Sequence, residues 1–214
     1  MFARLFFGIP PAPVAGLAAL VLAASLTIPG PSRAGSDTKV EWLTWGFYRI
    51  TAPDGKVILT NPWYTNPHSS FTLDDIPAAD VILITSGHPD EIGNALDIGA
   101  KTGATIVASH EVVGQTLKQQ GEPLFAPIAH NGAQIPAKLV QPGSLVTVND
   151  VTIRAVPAAH GDGATGGPAM SYFITTSDGF TTFYSGGTDV TQDMKLWGEL
   201  FRPDAAILYM SGDQ

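Results

Sequence analysis

The sequence predicts a mixed α/β domain, and three observations carry that expectation. Between about residues 79 and 121, apolar runs alternate with helical segments, an order that implies parallel strands with covering helices. From about Leu124 onward the pattern changes to paired strands with turn residues between them, the mark of antiparallel hairpins. Near the end, Met194, Trp197, Leu200 and Phe201 recur at helical spacing in "VTQDMKLWGELFR", which predicts an amphipathic helix with those four on its apolar face.

The elements follow in order. "VEWLTWGFYRI" and "KVILTNPW" read as two strands joined by "TAPDG", whose Pro-Asp-Gly suits a tight turn. "ADVILITS" is a continuous apolar run, as expected of a strand buried on both faces. A helix over about 91–102 ends at Gly103. "ATIVAS" is a second buried strand, and "HEVVGQTLKQQG" a second short helix. "GSLVTVNDVTIRAVPAAH" reads as a hairpin turning at Asn149-Asp150, and "MSYFITTSDGFTTFYSGG" as another turning at Asp178-Gly179. "PDAAILYMS" supplies a last strand, expected at a raw edge through which a homodimer could pair.

The 214 residues suit one domain with a sizeable core. Charged residues are 14% and apolar residues 44%, a globular composition. The formal charge of −8 gives no reason to expect a nucleic-acid partner. Arg4, the charge-free Val14–Ile28 and the small residues Ser32 and Ala34 predict an export signal over 1–34, a domain over 35–214 and a periplasmic or secreted location. The apolar run is short for a spanning helix of about 20 residues, so no membrane attachment is expected after cleavage. Removing Arg4 and Arg33 leaves 9 basic and 19 acidic residues, net −10. With no cysteine, the domain relies on its core rather than disulfides, and any metal must be held by His, Asp or Glu.

"ITSGHPDEIGN" (84–94) raises the question of function, since Ser86, His88, Asp90 and Glu91 crowd one strand-to-helix turn. His88 and His160 both follow predicted strands, and ligands in α/β folds gather at such ends. His88 and Asp90 are two apart, so on an extended loop they face the same way. Asp90 also suits a helix N-cap and Glu91 a first helical turn, an ordinary turn that would leave only His88 to explain. The Gly-rich "GDGATGGP" after His160 lacks the Lys-Ser/Thr ending of a phosphate-binding loop and suits a substrate-side loop instead. No Gly-x-Ser-x-Gly elbow occurs. Trp42, Trp45, Trp63 and Trp197 are expected in the core or at a rim. His68 and His130 are expected to be non-ligands, and His110 is left open.

The order of these blocks resembles the metallo-β-lactamase superfamily, specifically its small metal-dependent hydrolases related to ascorbate-6-phosphate lactonase. "ADVILITSGHPDEIGNALDIGAKTGATIVASHE", "VTIRAVPAAH" and "FYSGGTDVTQDMKLWGELFRPDAAIL" resemble the family's motif, its third-His segment and its Gly-Asp-Thr turn. The resemblance implies an αβ/βα sandwich of two mixed sheets with outer helices, and a metal site at one edge. Against the family's His-x-His-x-Asp-His, His88 matches the second His and Asp90 the Asp, whereas Ser86 and Glu91 replace the first and last His. His160 matches the third His and Gly187 replaces the bridging Asp. The late His would follow "AILYMSG", close to where the sequence ends at Gln214, so the chain is expected to be short of the family's C-terminus. The resemblance therefore implies one Zn²⁺, Mn²⁺ or Fe²⁺ rather than two, held by His88, His160 and Asp90 with Glu91 as a spare ligand. Asp90 would be the general base, and Ser86 and Asp189 possible accessories. Two functions stay open: a hydrolase acting on a small-molecule ester, lactone or phosphoester, or a non-catalytic binding module with an eroded metal centre.

Overall fold

The computed structural model describes residues 36–118, 121–160 and 167–209; the expected export signal, most of the Gly-rich loop after His160 and the last five residues lie outside them. The first sheet has six strands in the order β1 (Lys39–Thr44), β2 (Phe47–Thr51), β3 (Val57–Thr60), β4 (Val81–Leu83), β5 (Thr105–Ser109) and β8 (Ala137–Val140). Its β1–β3 portion is antiparallel, and β3, β4, β5 and β8 run parallel, as the alternation of apolar runs and helices requires. The second sheet has the order β13 (Ala205–Ile207), β12 (Thr181–Tyr184), β11 (Met170–Thr175), β10 (Val151–Pro157) and β9 (Leu145–Val148). It is antiparallel except for the β12–β13 pair. A separate hairpin, β6 (Ile128–His130) with β7 (Ala133–Ile135), was not expected.

Apolar residues from both sheets meet in the middle. Ile50, Ile58, Val81, Leu83 and Val107 pack against Ile153, Met170, Tyr172, Ile174 and Tyr184. The far side of the first sheet is covered by α2 (Ala95–Thr102) and by a π-helical turn over Val112–Leu117. The far side of the second carries α3 (Asp193–Phe201), which seats Trp197 against Val156, Phe173 and Phe183. Helix, sheet, sheet and helix form the layers of the expected αβ/βα sandwich. Among the described residues, no helix is long and apolar enough to cross a membrane.

Several local expectations are corrected. "VEWLTWGFYRI" is not one strand but a hairpin folding at Trp45-Gly46, with Trp45 at φ +48. The helix expected over 91–102 is two: α1 (Pro89–Ile92) and α2, broken at Gly93. Gly93 takes φ +47 and lies against Pro62, where a Cβ would come within 2.5 Å of the Pro62 carbonyl oxygen. The Asn94 amide donates to that same oxygen at 2.7 Å, so the chain kinks there. Asp90 is not the N-cap; His88 occupies that position, followed by Pro89, which tolerates the first helical turn because its missing N–H would be unpaired anyway. Leu200 is 62% exposed, because the short α3 presents only one narrow face to the sheet. The two expected hairpin turns form as read. Asn149 and Asp150 both have positive φ, as a two-residue hairpin turn requires.

The Asp178 turn also ties down the start of the chain. Its carboxylate accepts from the hydroxyls of Ser36, Thr38 and Thr176. Partial burial pushes this carboxyl up, but the hydrogen bonds from Ser36, Thr176, the Phe180 amide and Thr38 outweigh it and hold it down at about 2. A depressed folded-state pKa contributes stability that is present above the unfolded value of 3.8 and lost as pH falls through about 2. Asp178→Asn is therefore expected to lower Tm at pH 6. The gap to the wild type should close between about pH 4 and pH 2, read by thermal melts across that range.

Candidate metal and substrate site

The two sheets are pinned together at one rim. The Tyr172 hydroxyl donates to the Ile84 carbonyl at 2.8 Å, the Tyr184 hydroxyl to the Gly46 carbonyl at 2.7 Å, and the Met170 amide to the Thr85 carbonyl at 2.9 Å. Asn61 braces the same exit from β4: its Nδ2 donates to Thr85 Oγ1 at 2.7 Å, and its Oδ1 accepts the Thr85 amide at 3.0 Å. Ser86 and His88 project just beyond this brace.

His160 reaches the rim from the other sheet, three residues after β10. Its loop is clipped from both sides: the Ala159 amide donates to Thr188 Oγ1 at 2.8 Å, and the Asp189 amide to the Ala159 carbonyl at 2.9 Å. The result is an imidazole pair. His160 Nε2 lies 3.2 Å from His88 Nδ1, with the rings edge to face at 4.8 Å. Ser86 Oγ stands 2.9 Å from the same His88 nitrogen and accepts the His88 amide at 3.2 Å. Two nitrogen lone pairs aimed at each other at this distance repel unless a proton or a cation lies between them.

The carboxylates sit on an adjoining recess lined by Trp45, Asn61, Asp90, Glu91 and Tyr209 with the backbone of Gly46 and Gly187. Asp90 Oδ2 accepts the Trp45 indole N–H at 3.2 Å. Glu91 is 8% exposed; its Oε1 accepts the Gly187 amide at 3.2 Å, while Oε2 has no hydrogen-bond partner among the described residues. Burial raises the Tyr209 phenol, and the negative charges of Asp90 and Glu91 raise it further, so it stays protonated beside them. Gly187 separates the two halves of the site. A Cβ there would lie 2.9 Å from Glu91 Oε1 and 3.3 Å from His160 Nε2. Gly186, at φ +58, lets the chain pass against Thr85.

The structure thus brings His88, His160 and Ser86 together and sets Asp90 and Glu91 beside them on the recess. Asp189 is exposed, and its Oδ1 accepts the Val190 amide at 2.7 Å. His68 is exposed. His130 Nε2 is 2.8 Å from Asp97 Oδ1, on the side of α2 away from the pair. Trp45, Asn61 and Tyr209 were not singled out as site residues from sequence. A Trp-Gly pair inside a strand-like run was the one available hint, since Gly there marks a turn.

The 3.2 Å between His88 Nδ1 and His160 Nε2 is close to the ~3.3 Å edge of a tetrahedron with Zn–N bonds of about 2.05 Å. Among the described residues, no group of three or more His, Asp or Glu side chains converges as a metal site. Gly187 offers no carboxylate to bridge a second ion.

Residues 53–212 match the family model described as the Beta-lactamase superfamily domain. The chain belongs to the metallo-β-lactamase superfamily. A metal-dependent hydrolase of Thermodesulfovibrio yellowstonii is 31% identical over 185 residues, covering 80% of this chain and 67% of the relative. One from Koribacter versatilis is 32% identical over 178 residues, covering 79% and 71%. Among solved structures, Igni18, a metallo hydrolase from Ignicoccus hospitalis, superposes with a TM-score of 0.66 at 27% identity, covering 80% of this chain and 70% of that one. A possible metal-dependent hydrolase from Veillonella parvula shares the fold, with a TM-score of 0.58 at 15% identity and coverage of 81% and 71%. Metal dependence is therefore the rule among these superfamily relatives.

The tight fit at Gly187 is testable. Gly187→Ala forces Glu91 or the His160 ring to move, and overpacking of this kind costs about 1–3 kcal/mol. A drop of several degrees in Tm is expected, with Ser185→Ala as a control on the same strand end for the loss of a side chain without overpacking.

Proposed function

We propose that this chain is a metal-dependent hydrolase using a single cation, acting on a small ester, lactone or phosphoester-type substrate. The observation that carries this reading is the 3.2 Å approach of His88 Nδ1 to His160 Nε2, two residues from different sheets with no apolar packing that requires them to meet. His88 and His160 would hold the ion, with Zn²⁺ suited to imidazole and Mn²⁺ or Fe²⁺ as alternatives. When bound, the ion supplies Lewis acidity toward a carbonyl or phosphoryl oxygen and toward water.

The remaining work falls to the chain. Ser86 Oγ accepts the His88 amide and so fixes the backbone from which the ring projects. Asp90, fixed through one oxygen by the Trp45 indole, keeps lone pairs free to orient water and take its proton as general base. The aromatic rim of Trp45, Trp63 and Tyr209, with ring centroids 6.0 and 6.5 Å from Trp45, shields one side of the site from solvent. A second reading, a binding module with an eroded centre, is favoured by Ser86, Glu91 and Gly187 standing at positions where the family pattern places metal ligands.

Elemental analysis of the untagged protein separates the two. About one equivalent of Zn or Mn is expected, dropping below a tenth in His88→Ala and in His160→Ala. Less than a tenth of an equivalent in the wild type, unchanged by either substitution, leaves the binding-module reading.

A further inference from the structure

The recess beside the imidazole pair has a chemistry that the hydrolase reading uses at Asp90 and leaves unused at Glu91. Its side chains include two carboxylates, an indole and a phenol, and among the described residues no Lys, Arg or His lines it. Most of its polar atoms are committed. Asn61 is spent on Thr85 through both ends of its amide. Asp90 Oδ2 takes the Trp45 indole, and Glu91 Oε1 takes the Gly187 amide. Two oxygens stay open among the described residues: the second oxygen of Asp90, and Glu91 Oε2, a buried acceptor without a partner on a side chain only 8% exposed. A free buried acceptor calls for a donor, two neighbouring carboxylates call for positive charge, and aromatic faces favour a cation.

We infer that this recess receives a primary ammonium group carried by the substrate. Such a group has three N–H donors and is about the size of a water molecule, which suits a recess whose cavity volume is about 10 Å³, room for roughly one water. A quaternary ammonium offers no donor to Glu91 Oε2. Among the described residues, a divalent metal would find two carboxylates here and no imidazole. The remainder of the ligand would leave past Trp45 and Trp42, which are 43% and 65% exposed. The inference rests on the hydrolase reading only in calling the ligand a substrate; the recess and its charge do not depend on a metal at His88 and His160.

The test titrates the full chain with 2-phenylethylammonium and with the neutral 2-phenylethanol, following tryptophan fluorescence. Each titration is run with one equivalent of Zn²⁺ and again in EDTA. Saturable binding of the ammonium is expected in both conditions, with the alcohol at least about tenfold weaker. Glu91→Gln, which keeps an acceptor for the Gly187 amide, should weaken the ammonium by about tenfold and leave the alcohol unchanged, as loss of one charged hydrogen bond predicts. Asp90→Asn should act in the same direction. Equal affinity for the two probes, no binding of the ammonium, or indifference to both substitutions overturns the inference. So does a second equivalent of bound Zn²⁺ that Glu91→Gln removes, because the recess would then be a metal site. Ammonium binding in EDTA with no metal taken up by the wild type upholds the recess and sinks only the hydrolase reading.

Discussion

Two buried phenols set the geometry on which the site depends. Tyr172 and Tyr184 belong to the second sheet and are fully buried, yet each hydroxyl donates to a carbonyl of the first sheet. Burial drives both phenols far above their ordinary range, so they remain donors wherever the protein is folded. Leaving such a buried group unpaired costs about 1–3 kcal/mol, which penalises any sliding of one sheet across the other. Their acceptors are Ile84, two residues before Ser86, and Gly46, one residue after Trp45. The imidazole pair and the indole on Asp90 are therefore held in register by buried bonds made one or two residues along the chain from Trp45 and Ser86.

The substitutions in the ligand pattern are physically coupled. With Gly at 187, no side chain enters the space between His160 and Glu91. That space is what allows the longer carboxylate of Glu91 to fold inward and meet the Gly187 amide. Glu91 and Gly187 therefore fit one another: the glycine leaves the space, and the carboxylate fills it and accepts the glycine amide.

Much of this was legible in the sequence, for identifiable reasons. The buried strands β4 and β5 announce themselves as unbroken apolar runs, and both long hairpins are marked by Asn149-Asp150 and Asp178-Gly179. The meeting of His88 with His160 was readable only through the order of blocks that the superfamily shares, because no local pattern links residues 72 apart. What escaped were features decided by tertiary contact. The Trp45-Gly46 turn hides in a run with the composition of a strand, and the break at Gly93 comes from the close pass of Pro62. The inward face of Glu91 depends on a glycine nearly a hundred residues later. Tyr209 reaches the recess only because β13 runs parallel to β12 and delivers the chain back to the rim.

Trp45 has a consequence for how far this protein can be stabilised. A bulky L-residue in the left-handed region is strained by about 1–3 kcal/mol, and glycine or asparagine would sit in that hairpin tip with less strain. Relaxing the turn in that way would remove the indole that steadies Asp90 and walls the recess. A gain in thermal robustness at this turn would thus be set against the contact that steadies Asp90, whereas Arg202, at φ +43 after α3, offers similar relief on an outer helix away from this corner.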